Sequence, residues 1–168
     1  MIHYFCPFCW AELSKDERTC PRCDRSMEDW DAKRYVEKLI LSLNHVERSI
    51  VYRVCYILGE TREKVTVEPL IDLLKKANDH FLIEEILEAL GKIRDERALP
   101  HLIKMLNARS FLVRGKAATA LGNFHAREEL IEVLKRAIGD SSNYVRESAR
   151  ASLHKLAEGG CRVQGSES

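Results

Sequence analysis

Long hydrophobic runs, an excess of charge of one sign and a recognisable set of catalytic residues are all missing from this sequence of 168 residues. No segment approaches the roughly 18 uninterrupted apolar residues of a membrane-spanning helix, so we expect no membrane protein. The formal net charge of +1 argues against a general electrostatic binder of nucleic acids. The histidines from His45 to His154 are scattered, with no carboxylate or thiol at ligand spacing. We therefore expect no enzyme active site.

Charge is unevenly distributed along the chain. Residues 60–103 hold 7 lysines and arginines against 10 acidic residues, whereas residues 104–155 hold 10 against 5. The middle of the protein is therefore acidic and its C-terminal end basic, and the basic end could face phosphates. The basic residues of that end are Lys104, Arg109, Arg114, Lys116, Arg127, Lys135, Arg136, Arg146, Arg150 and Lys155.

Four of the six cysteines form two CxxC pairs, the spacing of a tetrahedral zinc site built from two knuckles. The predicted ligands are Cys6, Cys9, Cys20 and Cys23. Four protein ligands leave no position for water, which predicts one structural Zn²⁺. The alternatives are a redox role for either pair alone and His3 as a substitute ligand. Thiols at metal spacing, together with an N-terminus that lacks the pattern of a signal peptide, predict a reducing, cytoplasmic location.

The segment around the two pairs resembles the small zinc-ribbon modules of prokaryotic proteins, whose pattern is CPxCGxxL twice. Leu13 and Met27 match the apolar position of that pattern, whereas Trp10 and Asp24 replace its glycines. Because tryptophan tolerates a left-handed backbone less well than aspartate, we expect the first knuckle to be distorted. We assign the ribbon and its polar linker to residues 1–30. Trp10 and Trp30 are expected to pack the ribbon against the region after residue 30, with a partner anchor as the alternative.

From about residue 31 to residue 158, apolar residues recur at spacings of three and four, which predicts amphipathic helices. Gly59, Gly91 and Gly122 stand 32 and 31 residues apart and are predicted to end helices as left-handed caps. Such a period is typical of a repeat array, here of about four helical pairs. Cys55 lies on an apolar stripe and is assigned to the core. Residues 159–168 are predicted to form a disordered tail that carries Cys161 as a free thiol.

Residues 113–122 have the sequence VRGKAATALG, which resembles the VRxxAAxALG signature of short HEAT-like repeats of the phycobilisome-lyase type. The fourth unit repeats the pattern with Val145 and Arg146, but His154 replaces the closing glycine, as in an atypical terminal repeat. The resemblance implies an all-α fold, a short HEAT-repeat α-solenoid over residues 31–158. It also implies that Arg114 and Arg146 tie adjacent repeats together, with ligand binding as the alternative.

Helical repeat arrays characteristically present a surface to another protein. The sequence therefore predicts a non-enzymatic protein–protein interaction scaffold with a structural zinc site, in which the ribbon caps the array or makes a second contact. One alternative is a nucleic-acid-contacting adaptor that uses the ribbon and the basic C-terminal repeats. Another is a bilin-lyase-like enzyme or chaperone, as in some HEAT-like families. The chain has no His-Glu dipeptide, which disfavours a HEAT-like di-iron hydroxylase.

Overall fold

The computed structural model of the chain describes residues 4–14 and 17–161, without the side chains of Asp31 and residues 159–161. At its start, strands β1 (Tyr4–Phe5) and β2 (Glu12–Leu13) pair antiparallel, with Tyr4 opposite Leu13. An isolated bridge joins Thr19 to Ser26. Helix α1 (Met27–Asp31) comes next, so the predicted polar linker contains a short helix. We call the described residues from 4 to 31 the N-terminal module.

Across residues 35–161, eight further α-helices form four consecutive pairs, which we call units one to four; short 3-10 turns at Lys64–Thr66 and Glu96–Ala98 precede the second and third pairs. They are α2 (Tyr35–Ser42), α3 (Arg48–Thr61), α4 (Val67–Lys76), α5 (His80–Ile93), α6 (Leu99–Met105), α7 (Phe111–Leu121), α8 (Glu128–Ala137) and α9 (Asn143–Cys161). The second helices α3, α5, α7 and α9 pack side by side in chain order, and each first helix packs on the second helix of its unit. The predicted all-α solenoid of four helical pairs is confirmed.

The chain's apolar side chains form two separate clusters. The large cluster extends from Val36 to Leu156, and the small one surrounds Cys6, Leu13 and Cys20. Cys55 is fully buried in the large cluster, as predicted. The two clusters agree with the assignment of a ribbon and an array, and the exact boundaries of these domains stay a prediction.

The three glycines with the repeat period do not end helices in a left-handed conformation. Helices α3 and α5 continue past Gly59 and Gly91 and end instead at left-handed arginines, Arg62 (φ 54°) and Arg94 (φ 58°). Gly122 does follow the last residue of α7, but in a right-handed conformation. The prediction that these glycines close helices is therefore wrong for Gly59 and Gly91 and correct for Gly122, which does so without the left-handed conformation.

The same glycines instead permit close approach of neighbouring second helices. A Cβ atom on Gly59 would lie 2.8 Å from the Cα of Ala89, and one on Gly91 would lie 2.9 Å from the Cα of Ala120. A Cβ on Gly122 would lie 2.6 Å from the Cβ of Ser152. Real Cβ atoms cannot approach other atoms this closely, so each junction between units requires a glycine. The period of about 32 residues reflects this contact.

The fourth unit ends the array with a polar face. Where unit three places Gly115 and Gly122 against the next unit, the equivalent positions of α9, 32 residues later, are Glu147 and His154. Arg150 donates to Glu147 over 2.5 Å, and the imidazole of His154 lies 3.5 Å from Glu158. Terminal repeats need such a polar outer face, because nothing stacks on them.

The last helix also changes the prediction for the C-terminal tail. Helix α9 extends to Cys161, so residues 159–161 are helical rather than part of a disordered tail. Residues 162–168 lie outside the described part of the chain. Among the described helices, none is both long and apolar enough to span a membrane.

Candidate metal centre and repeat junctions

The two CxxC pairs meet in the N-terminal module. Their four sulfur atoms all lie within 4.8 Å of one another, and they belong to Cys6, Cys9, Cys20 and Cys23. The sulfurs of Cys6 and Cys23 are 3.6 Å apart, as are those of Cys9 and Cys20. Cys6 and Cys20 are fully buried. This cluster could hold a metal ion, whereas His3, the alternative ligand, lies outside the described residues.

The two knuckles have equivalent backbone geometry. In the first, the Trp10 N–H donates to the Cys6 carbonyl over 2.8 Å; in the second, the Asp24 N–H donates to the Cys20 carbonyl over the same distance. Trp10 (φ 61°) and Asp24 (φ 55°) both adopt the left-handed conformation. The expected distortion of the first knuckle is therefore wrong: tryptophan accepts the strain, about 1–2 kcal/mol, that the turn imposes.

Backbone N–H groups point at the sulfur atoms in the same way in both knuckles. The Cys6 sulfur accepts from Phe8 and Cys9, and the Cys20 sulfur accepts from the equivalent Arg22 and Cys23. Burial opposes ionisation of Cys20, but these N–H donors and the neighbouring thiols outweigh it and lower the pKa of Cys20 to about 7. Burial raises the pKa of Cys6. Burial and, next, the neighbouring thiols raise the pKa of Cys23 to about 12. The N–H groups of the turns therefore favour thiolate, the form that binds metals, whereas burial opposes it.

Both tryptophans of the module make contacts with neighbouring aromatic or basic side chains. The ring centroid of Trp10 lies 3.9 Å from that of His45, in the connection between α2 and α3. The Trp10 indole nitrogen is buried, and no described residue accepts a hydrogen bond from it. Trp30 packs edge-on against Phe8 at 5.8 Å, and the Lys38 ammonium of α2 lies 5.5 Å from its ring centre. The predicted packing of the module against unit one is therefore present for both residues.

Arg114 joins unit three to unit four, as the resemblance implied. Its Nε and Nη2 atoms donate to the two carboxylate oxygens of Asp140 over 2.7 and 2.8 Å, and Nη1 donates to the carbonyls of Ala108 and Arg109. Arg146, the equivalent residue of α9, binds the loop before its own helix, and among the described residues it has no partner in another unit. The implied role is thus correct for Arg114 and wrong for Arg146.

We expect Asp140→Asn to lower the free energy of unfolding by about 2 kcal/mol at neutral pH. The Arg114 guanidinium lowers the pKa of the Asp140 carboxyl from 3.8 to about 2. Because this pKa is lower in the folded state, the stabilisation is complete above about pH 4 and is lost as the pH falls toward 2. Urea unfolding of both proteins at several pH values measures this, and the difference should shrink in acid. A difference that does not change with pH would contradict the prediction.

The ten basic residues of the C-terminal end are largely engaged within the array. Five of them pair with acidic side chains: Arg114, Lys116, Arg127, Arg136 and Arg150. Arg146 binds backbone carbonyls, and Lys155 donates to the side chain of Asn123 over 2.5 Å. These contacts reduce the positive charge that is free to meet phosphates.

Sequence analysis missed a polar ladder that runs across the second helices. Lys92 donates to Glu60 of the preceding unit over 2.7 Å, and Lys155 donates to Asn123 of its preceding unit. Each of these residues directly follows the periodic glycine or its replacement, His154. Aligning the units on their glycines would have placed these four residues in one row.

Comparison with known proteins agrees with this architecture. Residues 36–121 and 99–160 match the family of HEAT repeats. Together these ranges cover residues 36–160, more than half of the chain, and the chain therefore belongs to the HEAT-repeat family. No curated protein sequence matches it significantly.

A solved structure supports the same fold. The chain is similar to one in the complex of CpcE and CpcF of phycocyanin lyase from Nostoc sp. PCC7120, with 21% identity and a TM-score of 0.60. The similarity covers 73% of this chain and 78% of that one. At this level of identity, the match shows a shared solenoid.

Proposed function

We propose that this protein is a non-enzymatic scaffold that binds another protein, with one structural Zn²⁺ in its N-terminal module. The observation that carries the proposal is the row of exposed aromatic side chains near the starts of three successive second helices: Phe81, Phe111 and Tyr144 are 59%, 47% and 42% exposed. Exposed aromatic residues are enriched where proteins bind proteins, and repeat arrays use such rows as binding surfaces.

The geometry of the four cysteines supports zinc as the metal. With Zn–S bonds of about 2.3 Å, two ligands of a tetrahedral ion are about 3.8 Å apart, close to the 3.6 Å between the paired sulfurs. Four thiolates are the donor set typical of structural zinc sites. The ion would link the two knuckles and hold the module together, with Cys6, Cys9, Cys20 and Cys23 as its ligands.

The scaffold proposal is tested by affinity capture from the lysate of the native host, with and without nuclease, and identification by mass spectrometry. A protein recovered in stoichiometric amount that survives nuclease treatment supports the proposal. Recovery that depends on nucleic acid would instead favour the adaptor alternative.

The fold similarity to a chain of a phycocyanin lyase complex keeps a bilin-lyase-like activity as a second candidate, which covalent bilin attachment to an acceptor protein would reveal.

We further propose that the module caps unit one, and Trp10→Gly isolates the contact responsible. Glycine accepts a φ of 61° without strain, so the variant removes the indole on His45 while the knuckle is kept. We expect metal binding to persist and hydrogen exchange in α2 and α3 to quicken several-fold.

The matched control for this variant is Asp24→Gly. It changes the equivalent position of the second knuckle, where φ is 55°. We expect it to leave exchange in α2 and α3 as in the wild type. Equal protection of these helices in both variants would show that the Trp10 contact does not cap the array.

A further inference from the structure

The exposed face of the second helices has an aromatic line with defined geometry. Tyr144 lies so closely over Gly115 that a Cβ atom there would be 2.2 Å from the tyrosine ring. The ring meets Phe111 edge-on, with centroids 6.3 Å apart. Phe81 lies at the start of α5, one unit earlier, and stacks beside His80 at 4.1 Å. These aromatic side chains therefore have defined neighbours while remaining about half exposed.

One turn further along α5, two glutamates lie beside these aromatic residues and form no ion pair within the described part of the chain. Glu84 and Glu85 are both half-buried, and among the described residues neither forms an ion pair. Within the part of the chain that the structure describes, one carboxylate oxygen of Glu84 is buried and accepts no hydrogen bond. Glu88 is different, because Lys92 and Lys116 each lie 2.8 Å from it. Lys116 acts on Glu84 and Glu85, and Lys92 on Glu85, at longer range than an ion pair, so both carboxylates can still pair with a cation from outside.

The electrostatics of Glu85 agree with this conclusion. Burial and, next, the charge of Glu88 raise the pKa of its carboxyl, although Lys116 and Lys92 act in the opposite direction. A half-buried carboxylate in this situation gains from an added cation, because pairing offsets its lost hydration.

We propose that Phe81, Phe111 and Tyr144, together with Glu84 and Glu85, bind an extended segment of a protein partner that carries a lysine or arginine between apolar side chains. We call these five residues the aromatic–acidic face. The inference rests on the scaffold function proposed above and specifies its partner. The line crosses two helix spacings of about 10 Å each, and this span matches about six residues of an extended chain.

The test is a selection of displayed random peptides for binding to the whole, zinc-loaded protein. The peptides have about twelve residues, twice the length that the face spans. Enrichment of peptides with lysine or arginine beside aliphatic or aromatic residues is expected. A selected peptide, labelled with fluorescein, should bind Glu84→Gln/Glu85→Gln at least about tenfold more weakly, and Phe81→Ala/Phe111→Ala likewise. Thermal unfolding by circular dichroism checks that the variants are folded.

Matched controls place the same changes elsewhere on the array. Glu128→Gln/Glu129→Gln changes two exposed glutamates of α8, and Val65→Ala removes apolar surface from a side chain that is 51% exposed. Both should bind the peptide as the wild type does. The proposal is overturned if no peptide is enriched, if acidic peptides are enriched, or if the selected peptide binds the face variants equally well.

The lysate experiment separates this inference from the function on which it rests. A captured protein that binds Glu84→Gln/Glu85→Gln as tightly as the wild type would leave the scaffold standing and exclude this face. Recovery of nuclease-sensitive material alone would refute the scaffold itself.

Discussion

Removing the proposed zinc ion is expected to unfold the N-terminal module while the helical array remains folded. The module has a two-stranded sheet with two residues in each strand, and its fully or nearly buried apolar residues are Cys6, Leu13 and Cys20. Such a core cannot offset the conformational entropy of about thirty residues. A structural zinc ion contributes about 10–16 kcal/mol in small modules of this kind.

Cys20→Ser is the variant that tests this dependence. We expect zinc content, measured by mass spectrometry, to fall from one ion per chain to almost none. Hydrogen exchange in the described residues from 4 to 31 should become as fast as in an unfolded peptide, whereas α4 to α9 keep their protection. A strong chelator added to the wild type should give the same pattern.

The control for the zinc experiment is Cys55→Ala, which removes a thiol that is fully buried in the array. We expect it to lower the stability of the array and to leave the zinc content at one ion. A module that stays protected after metal loss would show that its fold does not need the ion.

Gly91→Ala is expected to lower the free energy of unfolding by about 3 kcal/mol. In an ordinary helix interior the same change stabilises by about 1 kcal/mol, because alanine has the higher helix propensity. Here the added Cβ atom would lie 2.9 Å from both the Cα and the Cβ of Ala120. Backbone cannot move aside as a side chain can, so α5 and α7 must separate. Thermal and urea unfolding measure the effect.

Gly115→Ala provides the comparison. The added Cβ atom makes a shorter contact at Gly115 than at Gly91, yet we expect a smaller loss of stability. Its Cβ atom would lie only 2.2 Å from an atom of Tyr144, nearer than any contact at Gly91. The ring of Tyr144 is an exposed side chain that can rotate into solvent, so we expect a change within about 1 kcal/mol. Equal destabilisation by both variants would show that backbone contact is not what makes Gly91 necessary.

The parts of the candidate site that depend on residues close together in the chain could be predicted from the sequence. Two CxxC pairs with backbone N–H groups directed at the sulfurs can be expected from the motif, and the structure brings all four cysteines together. The sequence predicted that Trp10 packs against the repeats but not that it contacts His45. That contact joins residues 35 positions apart and depends on how the N-terminal module is oriented on unit one.

The amino-acid sequence alone was enough to establish the number of units, their all-α character, the cysteine cluster and the role of Arg114, because each depends on periodicity or on short motifs. Packing between the units determines what the glycines do. A glycine near a helix end has the same sequence pattern whether it caps the helix or admits a neighbour, and only the packing of Gly91 on Ala120 separates the two. The same packing determines which charges remain unpaired, since Glu84 and Glu88 differ only in the lysines that neighbouring turns and units bring to them.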